Sequence, residues 1–400
     1  MTSPRDGHTG WRVPFVRPDL PPFDAIEPAF RRIHASGILT KGAELTALES
    51  EAARFLGVDD VVAVSSCSIG LALALRALRA ERPAAEAPAR TEVVVPSFIF
   101  LAAPAAIEWA GLTPVFVEVD PGHWTIDPAA VAAALGPRTL AVLACHTFGC
   151  PCDTDALESA CAAAGVPLLV DAAHGLGCRR RGHHVGREGL AQVFSLSPTK
   201  LVCAGEGGLV ATNSRTMAES LRQLREYGND GHYDCVVPGL NGRLPEMAAA
   251  LARASLARLP EVAARRAAVA AAYSHGLAGL PGISPQAIDS RDSSSWKDYS
   301  ILVDPRRFGV DRGHLRRELA RIGVDTRTYY DPPCHAMPAF RRHRPDAQLP
   351  ITDRLAAGSL SLPMGAHVTE GIAAEIAGVI AAARRGSIAG HRVAPAGRGG

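Results

Sequence analysis

The sequence predicts an α/β protein: a mostly parallel, mixed sheet sandwiched by helices, followed by a smaller C-terminal α+β domain. Three observations carry that expectation. From Val61 to Thr212, short β-rich runs alternate with Ala-rich stretches of helical period, the spacing of parallel strands joined by crossover helices. After about Leu244 this alternation gives way to a long Ala/Leu/Arg run and then to a short mixed unit. At 400 residues, with 47% hydrophobic and 20% charged, the chain can bury two such cores and has an ordinary globular composition.

The elements follow in order. A Pro-rich lead (Pro14, Pro18, Pro21, Pro22) precedes a helix over 24–36, and a turn at Thr40-Lys41-Gly42 precedes a helix over 43–56 with Leu45, Leu48 and Phe55 at helical spacing. Strands are expected over 61–65, 93–95, 115–117, 140–144, 166–170, 192–196 and 208–212, and helices over 68–80, 101–110, 128–135 and 153–164. The last of these starts on an acid and stops at Gly165. Residues 81–90 read as a Pro/Ala linker. One long helix is expected over 244–276, then a strand over 299–303 and helices over 312–322 and 369–383. The expected division is a lead over 1–24, a large domain over 25–250, a small one over 251–385 and a disordered Gly/Ala/Arg tail over 386–400.

The bulk numbers exclude several functions. A net charge of +2 gives no reason to expect nucleic acid or an anionic membrane as partner, and the Arg179-Arg180-Arg181 and Arg341-Arg342 clusters read as solvated surface. The polar start, Met1 to Gly10, is not a secretory signal, and no apolar run approaches the ~20 residues a bilayer requires. Nine scattered cysteines, an odd count, suit free buried thiols in a reducing cytoplasm. Cys145-His146 with Cys150-Pro151-Cys152 has a spacing too tight for structural zinc, with no second pair, so no metal is expected.

The chemistry gathers at the strand ends. Lys200 ends the run Phe194-Ser195-Leu196-Ser197-Pro198-Thr199-Lys200 and precedes Gly205-Glu206-Gly207-Gly208, while Asp171 closes an apolar strand and opens Asp171-Ala172-Ala173-His174. Pyridoxal phosphate needs this pairing: a lysine to hold it as a Schiff base, and an acid to hold a proton on its ring nitrogen. Burial lowers a lysine's pKa and makes the neutral amine available. His174 is within reach of the ring's phenolic oxygen. Ser65-Ser66-Cys67-Ser68, at a strand-to-helix turn, and Ser195 suit the phosphate, and Phe100 can stack on the ring. Taken singly each has a plainer reading: a surface charge, an N-cap, a core aromatic.

In this order the motifs resemble the sugar aminotransferase family named for DegT, DnrJ, EryC1 and StrS. The resemblance runs from Gly37-Ile38-Leu39-Thr40-Lys41-Gly42 through Pro96-Ser97-Phe98-Ile99-Phe100, His146-Thr147-Phe148-Gly149 and the Asp171 and Lys200 segments. It continues to Gly239-Leu240-Asn241-Gly242-Arg243 and Leu360-Ser361-Leu362-Pro363. It implies a fold-type-I pyridoxal phosphate transferase with Lys200 as the Schiff-base lysine, Asp171 at the ring nitrogen, His174 at the ring hydroxyl and Phe100 stacked. It further implies phosphate contacts from Cys67, Ser68 and Ser195, and one from Asn241 of a second subunit, hence an obligate homodimer with shared active sites. The chain departs from the family in carrying Cys67-Ser68 for the usual Gly-Thr and Ile99 for a usual Thr. It keeps the lysine that dehydratase relatives replace with histidine.

Tyr329-Tyr330-Asp331-Pro332-Pro333-Cys334-His335 falls where the family places a loop over the site, with Tyr330 and His335 as candidate substrate contacts; a rigid Pro-Pro turn is the plainer reading. The form of this loop looks like that of enzymes aminating C4 of dTDP-4-keto-6-deoxyglucose from L-glutamate in deoxyaminosugar pathways. A cyclitol ketone as acceptor, with glutamine or glutamate as donor, and a non-catalytic pyridoxal-phosphate-binding regulator are the alternatives.

Overall fold

The computed structural model describes residues 10–80, 90–232, 234–343 and 348–390, with the backbone alone for 385–390. Twelve strands are described: β1 (Asp60–Val64), β2 (Glu92–Pro96), β3 (Thr113–Val117), β4 (Thr139–Cys145), β5 (Leu168–Asp171), β6 (Arg179–Arg180), β7 (His183–His184), β8 (Ala191–Ser195), β9 (Gly208–Thr212), β10 (Ile283–Pro285), β11 (Tyr299–Val303) and β12 (Ser359–Leu362). The first half holds helices α1 (Phe23–Ser36), α2 (Ala43–Leu56), α3 (Cys67–Ala80), α4 (Ala102–Trp109), α5 (Pro128–Ala134), α6 (Thr154–Ala164) and α7 (Arg215–Leu224). The remainder are α8 (Glu246–Ala257), α9 (Leu259–Leu277), α10 (Pro305–Phe308), α11 (Arg312–Arg321), α12 (Pro350–Gly358) and α13 (Glu370–Gly390).

Seven strands form one sheet in the order β1-β9-β8-β5-β4-β2-β3. All run parallel except β9, which is antiparallel to both β8 and β1. Because the sheet is covered on both faces, β4 is buried along its whole length, Thr-Leu-Ala-Val-Leu-Ala-Cys. Alternation still sorts the side chains: Val61 and Ala63 pack with α2, α6 and α8 on one face, Val62 and Val64 with α3, α4 and α7 on the other. Each fully buried Leu of α2 and α3 contributes about 2 kcal/mol relative to exposure. The reversal of β9 has a functional consequence, because its first residue, Gly208, lies at the same edge as the carboxyl ends of the parallel strands.

The smaller body is the antiparallel sheet β10-β11-β12 under α9, α11 and α13. Val13 of the lead also packs in this core and bridges Val324, so the lead is tied to the small body. Where one helix over 244–276 was expected there are two: α8 packs on α2 and α9 on α13, and α9 itself carries the chain between the bodies, with Leu259 and Val262 in the core of the large one and Val269 to Leu277 in that of the small one. Pro260, in the first turn of α9, has no N–H to give and its ring opposes the carbonyl four residues back. The C-terminal helix runs to Gly390, so 386–390 of the expected tail are helical; 391–400, 1–9 and most of the 81–90 linker lie outside the described residues. No helix among the described residues is long and apolar enough to cross a membrane.

Candidate active site

A cavity of about 340 Å³ opens at the carboxyl edge of the large sheet, where β1, β5 and β8 end and β9 begins. The topology brings together Cys67, Ser68, Phe100, Asp171, His174, Ser195, Lys200 and Tyr330, all of which line it.

Lys200 sits at the tip of the loop between β8 and β9. The loop is closed at its base by Leu196 N–H donating to Gly207 O at 2.9 Å and Ala204 N–H to Leu196 O at 2.8 Å, and Lys200 N–H donates to Ser197 O at 3.0 Å. Burial, then the charge of Lys297, lowers its amine from 10.5 to about 8. Asp171, the last residue of β5, is 4% exposed. Its Oδ1 accepts from Ala173 N–H at 3.0 Å, and the Cys67 thiol lies 3.9 Å from the same oxygen. Burial raises its pKa against the pull of that N–H and of Lys200. Its Oδ2 has no hydrogen-bond partner among the described residues. A buried carboxylate with a vacant oxygen facing a cavity is an acceptor in want of a donor.

His174 Nδ1 accepts from Phe148 N–H at 3.1 Å, which makes Nε2 the protonated nitrogen of a neutral ring. Burial, then Lys200, holds its pKa well below 6.5. The start of α3 is fitted to take an anion. Ser66 Oγ caps the helix by accepting from Ile69 N–H at 3.2 Å, leaving the N–H groups of Cys67 and Ser68 without partners among the described residues. Gly208 permits this turn: a Cβ there would stand 2.7 Å from Cys67 N and 2.7 Å from Ser66 C.

These groups fit pyridoxal phosphate. The amine of Lys200, the unpaired Asp171 oxygen for the ring nitrogen, the His174 Nε2–H for the ring hydroxyl and the α3 terminus for the phosphate match the four polar features of that cofactor.

Two anticipated residues lie apart from the cavity. Asn241 is exposed, in a segment bridged to Glu226, and does not line it. His335 is held elsewhere, its Nδ1 2.7 Å from Ser97 Oγ and its Nε2 3.3 Å from Asp353 Oδ1. The structure adds Tyr329, Glu206 and the buried neighbours Lys297 and Asp298, which line the cavity from the segment before β11. A Lys-Asp pair between Trp296 and Tyr299 at the start of an apolar strand is its signal in the sequence, but nothing local links that pair to Lys200.

Fold and site together define a pyridoxal-phosphate-dependent aminotransferase. The family model for the DegT/DnrJ/EryC1/StrS aminotransferases matches residues 24–381, and the chain belongs to that family. It is 38% identical over 344 residues to the dTDP-3-amino-3,4,6-trideoxy-α-D-glucose transaminase of Streptomyces venezuelae, covering 86% of this chain and 87% of the relative. It is 36% identical to the erythromycin biosynthesis sensory transduction protein EryC1 of Saccharopolyspora erythraea, covering 86% and 91%. Among solved structures it is similar to DesI in the presence of its TDP-sugar product, with TM-score 0.87, 35% identity and 95% of each chain covered. S. venezuelae DesV gives TM-score 0.85 at 35% identity, covering 93% and 98%.

Proposed function

We propose that this aminotransferase moves an amino group from L-glutamate to the keto group of a dTDP-linked deoxyhexose, dTDP-4-keto-6-deoxyglucose being the first acceptor to try. The observation that carries the reading is the convergence of Lys200, Asp171 and His174 on one cavity, in a chain whose relatives act on or bind dTDP- and TDP-sugars. A ketone at C3 is the second reading, favoured by the amine position in the name of the S. venezuelae relative.

Bound pyridoxal phosphate supplies the electron sink through which an amine can leave one carbon and join another. The residues do the rest. Lys200 Nζ, with its pKa near 8, is partly neutral at working pH and can take and return a proton at substrate carbon. Asp171, enclosed and beside Lys200, would hold a proton on the ring nitrogen of the bound cofactor. His174 Nε2–H would donate to the ring hydroxyl oxygen, and burial keeps the imidazole neutral. Tyr329 and Tyr330 close the cavity from the loop before the small body's last elements, limiting the water that can compete.

We also read the active unit as a homodimer. Exposed Ile38, Leu39 and Met247 lie on one surface with the Asn241 segment, connected by the Thr40–Pro245 bridge and the Lys41–Glu226 ion pair. Phe100 and Leu101 are exposed at the cavity mouth. A patch of this kind is what a second copy would cover, bringing its Asn241 to this site.

The purified protein should carry a visible cofactor band that bleaches with L-glutamate and returns with the correct keto-sugar. Lys200→Ala should abolish both; a variant with an unchanged band and turnover would overturn the reading. A panel of 4-keto, 3-keto and cyclitol ketones separates the acceptors. A band that no amino donor bleaches would instead favour a regulatory role like that in the name of EryC1.

A further inference from the structure

We propose that Lys297 is the seat of the amino donor's α-carboxylate and that Asp298 is the positioning residue that holds it there. The inference deepens the aminotransferase reading and rests on it.

Lys297 Nζ lies 2.8 and 2.9 Å from the two oxygens of Asp298, and the side chains are 6% and 4% exposed. A buried ion pair is weak support for stability, because desolvation offsets most of its attraction. This one joins neighbours in sequence, so it does not tie distant parts of the chain together either. What it does is put an ammonium and a carboxylate in the wall of the cavity that holds Lys200.

The backbone beneath the pair is constrained. Trp296 has φ 50°, the left-handed region that a bulky residue enters at a cost. Buried Arg266 donates to Trp296 O at 2.9 Å and to Lys297 O at 3.1 Å. Ser294 Oγ accepts from Trp296 N–H at 2.9 Å, and Ser295 Oγ donates to His174 O at 2.7 Å. The segment is thus fastened to a residue of the cofactor site and aimed by it. Strain held by several such bonds is the mark of a placed side chain.

Among the described residues, Lys200 and Lys297 are the cationic side chains that line the cavity, and Lys200 is committed to the cofactor. Any α-amino acid donor carries a carboxylate that must be paired when enclosed. An ammonium has three N–H bonds, of which two are directed to Asp298, leaving one for the donor. The same pair explains how one site takes two unlike substrates in turn. Once the donor product leaves, Lys297 and Asp298 are again neutral overall, and a sugar can donate a hydroxyl to one and accept from the other. An unpaired lysine would be left as a lone buried charge at that stage.

The test is the donor half-reaction, followed as bleaching of the cofactor band. Lys297→Met combined with Asp298→Asn removes the pair without leaving an orphan carboxylate. The variant should keep its band, its half-saturating L-glutamate should rise about tenfold or more, and its saturated rate should change less than about threefold. An intact band with unchanged half-saturation would overturn the proposal. The unaltered enzyme gives a check independent of any variant's folding. The α-amide of L-glutamate should be the poorer donor by about tenfold or more, and L-glutamine, which keeps its α-carboxylate, should not. Equal use of the α-amide would also overturn it. Neither arm needs a sugar, so failure of the acceptor assignment leaves both outcomes readable. If L-glutamate bleaches nothing, the donor assignment fails, and L-glutamine with its own α-amide gives the same comparison.

Discussion

The imidazole of His174 accepts the Phe148 backbone N–H at 3.1 Å, and this one bond fixes which proton the ring presents to the cavity. Phe148 itself has φ 58° and lies in the turn that follows β4, so the strand end of β4 sets the tautomer of a residue three positions beyond β5. Because burial and Lys200 keep the ring neutral through the physiological range, activity should show no inflection near pH 6.5 from this residue. His174→Gln retains a donor and should stay within about tenfold of the original kcat, whereas His174→Leu should lose about 10- to 100-fold, the worth of a hydrogen bond to a charged group. A pH–rate profile and single-turnover rates check both; a bell with a limb near 6.5 that disappears in His174→Leu would count against a ring held neutral.

Lys200 makes a pH prediction for the cofactor-free protein. Its folded pKa of about 8 lies below the ordinary 10.5. Between those values the unfolded chain holds a proton that the folded chain has released, so stability at this residue rises with pH across that window. Below pH 8 both states are protonated and the penalty of burying the ammonium is fully present and flat. Lys200→Met should therefore be more stable than the parent below pH 8, with the difference shrinking as pH climbs toward 10.5. Thermal midpoints of the two cofactor-free proteins across that range decide it, and a difference independent of pH would show that the amine is not enclosed as described.

Gly208→Ala tests the anion seat without touching a polar group. The added methyl would meet Cys67 N and Ser66 C at 2.7 Å, both of them backbone, so the neighbours cannot simply rotate away. The start of α3 must shift, and with it the free N–H groups of Cys67 and Ser68. Retention of pyridoxal phosphate on dialysis should weaken by about tenfold or more, while overall stability falls by only about 1–3 kcal/mol. Unchanged retention in a folded variant would mean that the phosphate is held elsewhere.

Legibility of this fold in the sequence followed the range of the forces involved. Strands and helices of the large body were readable because alternation and helical period are local, and β9, β11 and α2 fall on the expected bounds. The split between α8 and α9 was missed because an Ala/Leu/Arg period of such length outweighed one proline, Pro260, near its middle. That Lys200, Asp171 and His174 meet at one cavity was readable because Asp171 ends a strand and the other two follow one, at the edge where such a sheet takes its ligands. Lys297 and Asp298 were not, since their approach to Lys200 comes from the packing of the small body on the large one. His335 reads as a substrate contact from its loop alone, but Ser97 and Asp353 lie against its two ring nitrogens.

Asn241 offers the sharpest remaining prediction, because it is exposed on the chain that carries it and absent from that chain's cavity. If it completes the site of a second copy, an inactive protein and an impaired one should together make an active one. Lys200→Ala has no working lysine but presents a normal Asn241; Asn241→Ala has the lysine and lacks the phosphate contact. In a dimer of one of each, the site built on the Asn241→Ala chain receives an intact Asn241 from its partner and is whole. Random mixing puts half of the chains' pairings in that mixed form, with one whole site of two, so co-refolding equal amounts should restore about a quarter of the original activity. Size-exclusion profiles of each variant alone establish that both still pair. Activity no greater than the sum of the separate variants would mean that Asn241 acts within its own chain or does not act at all.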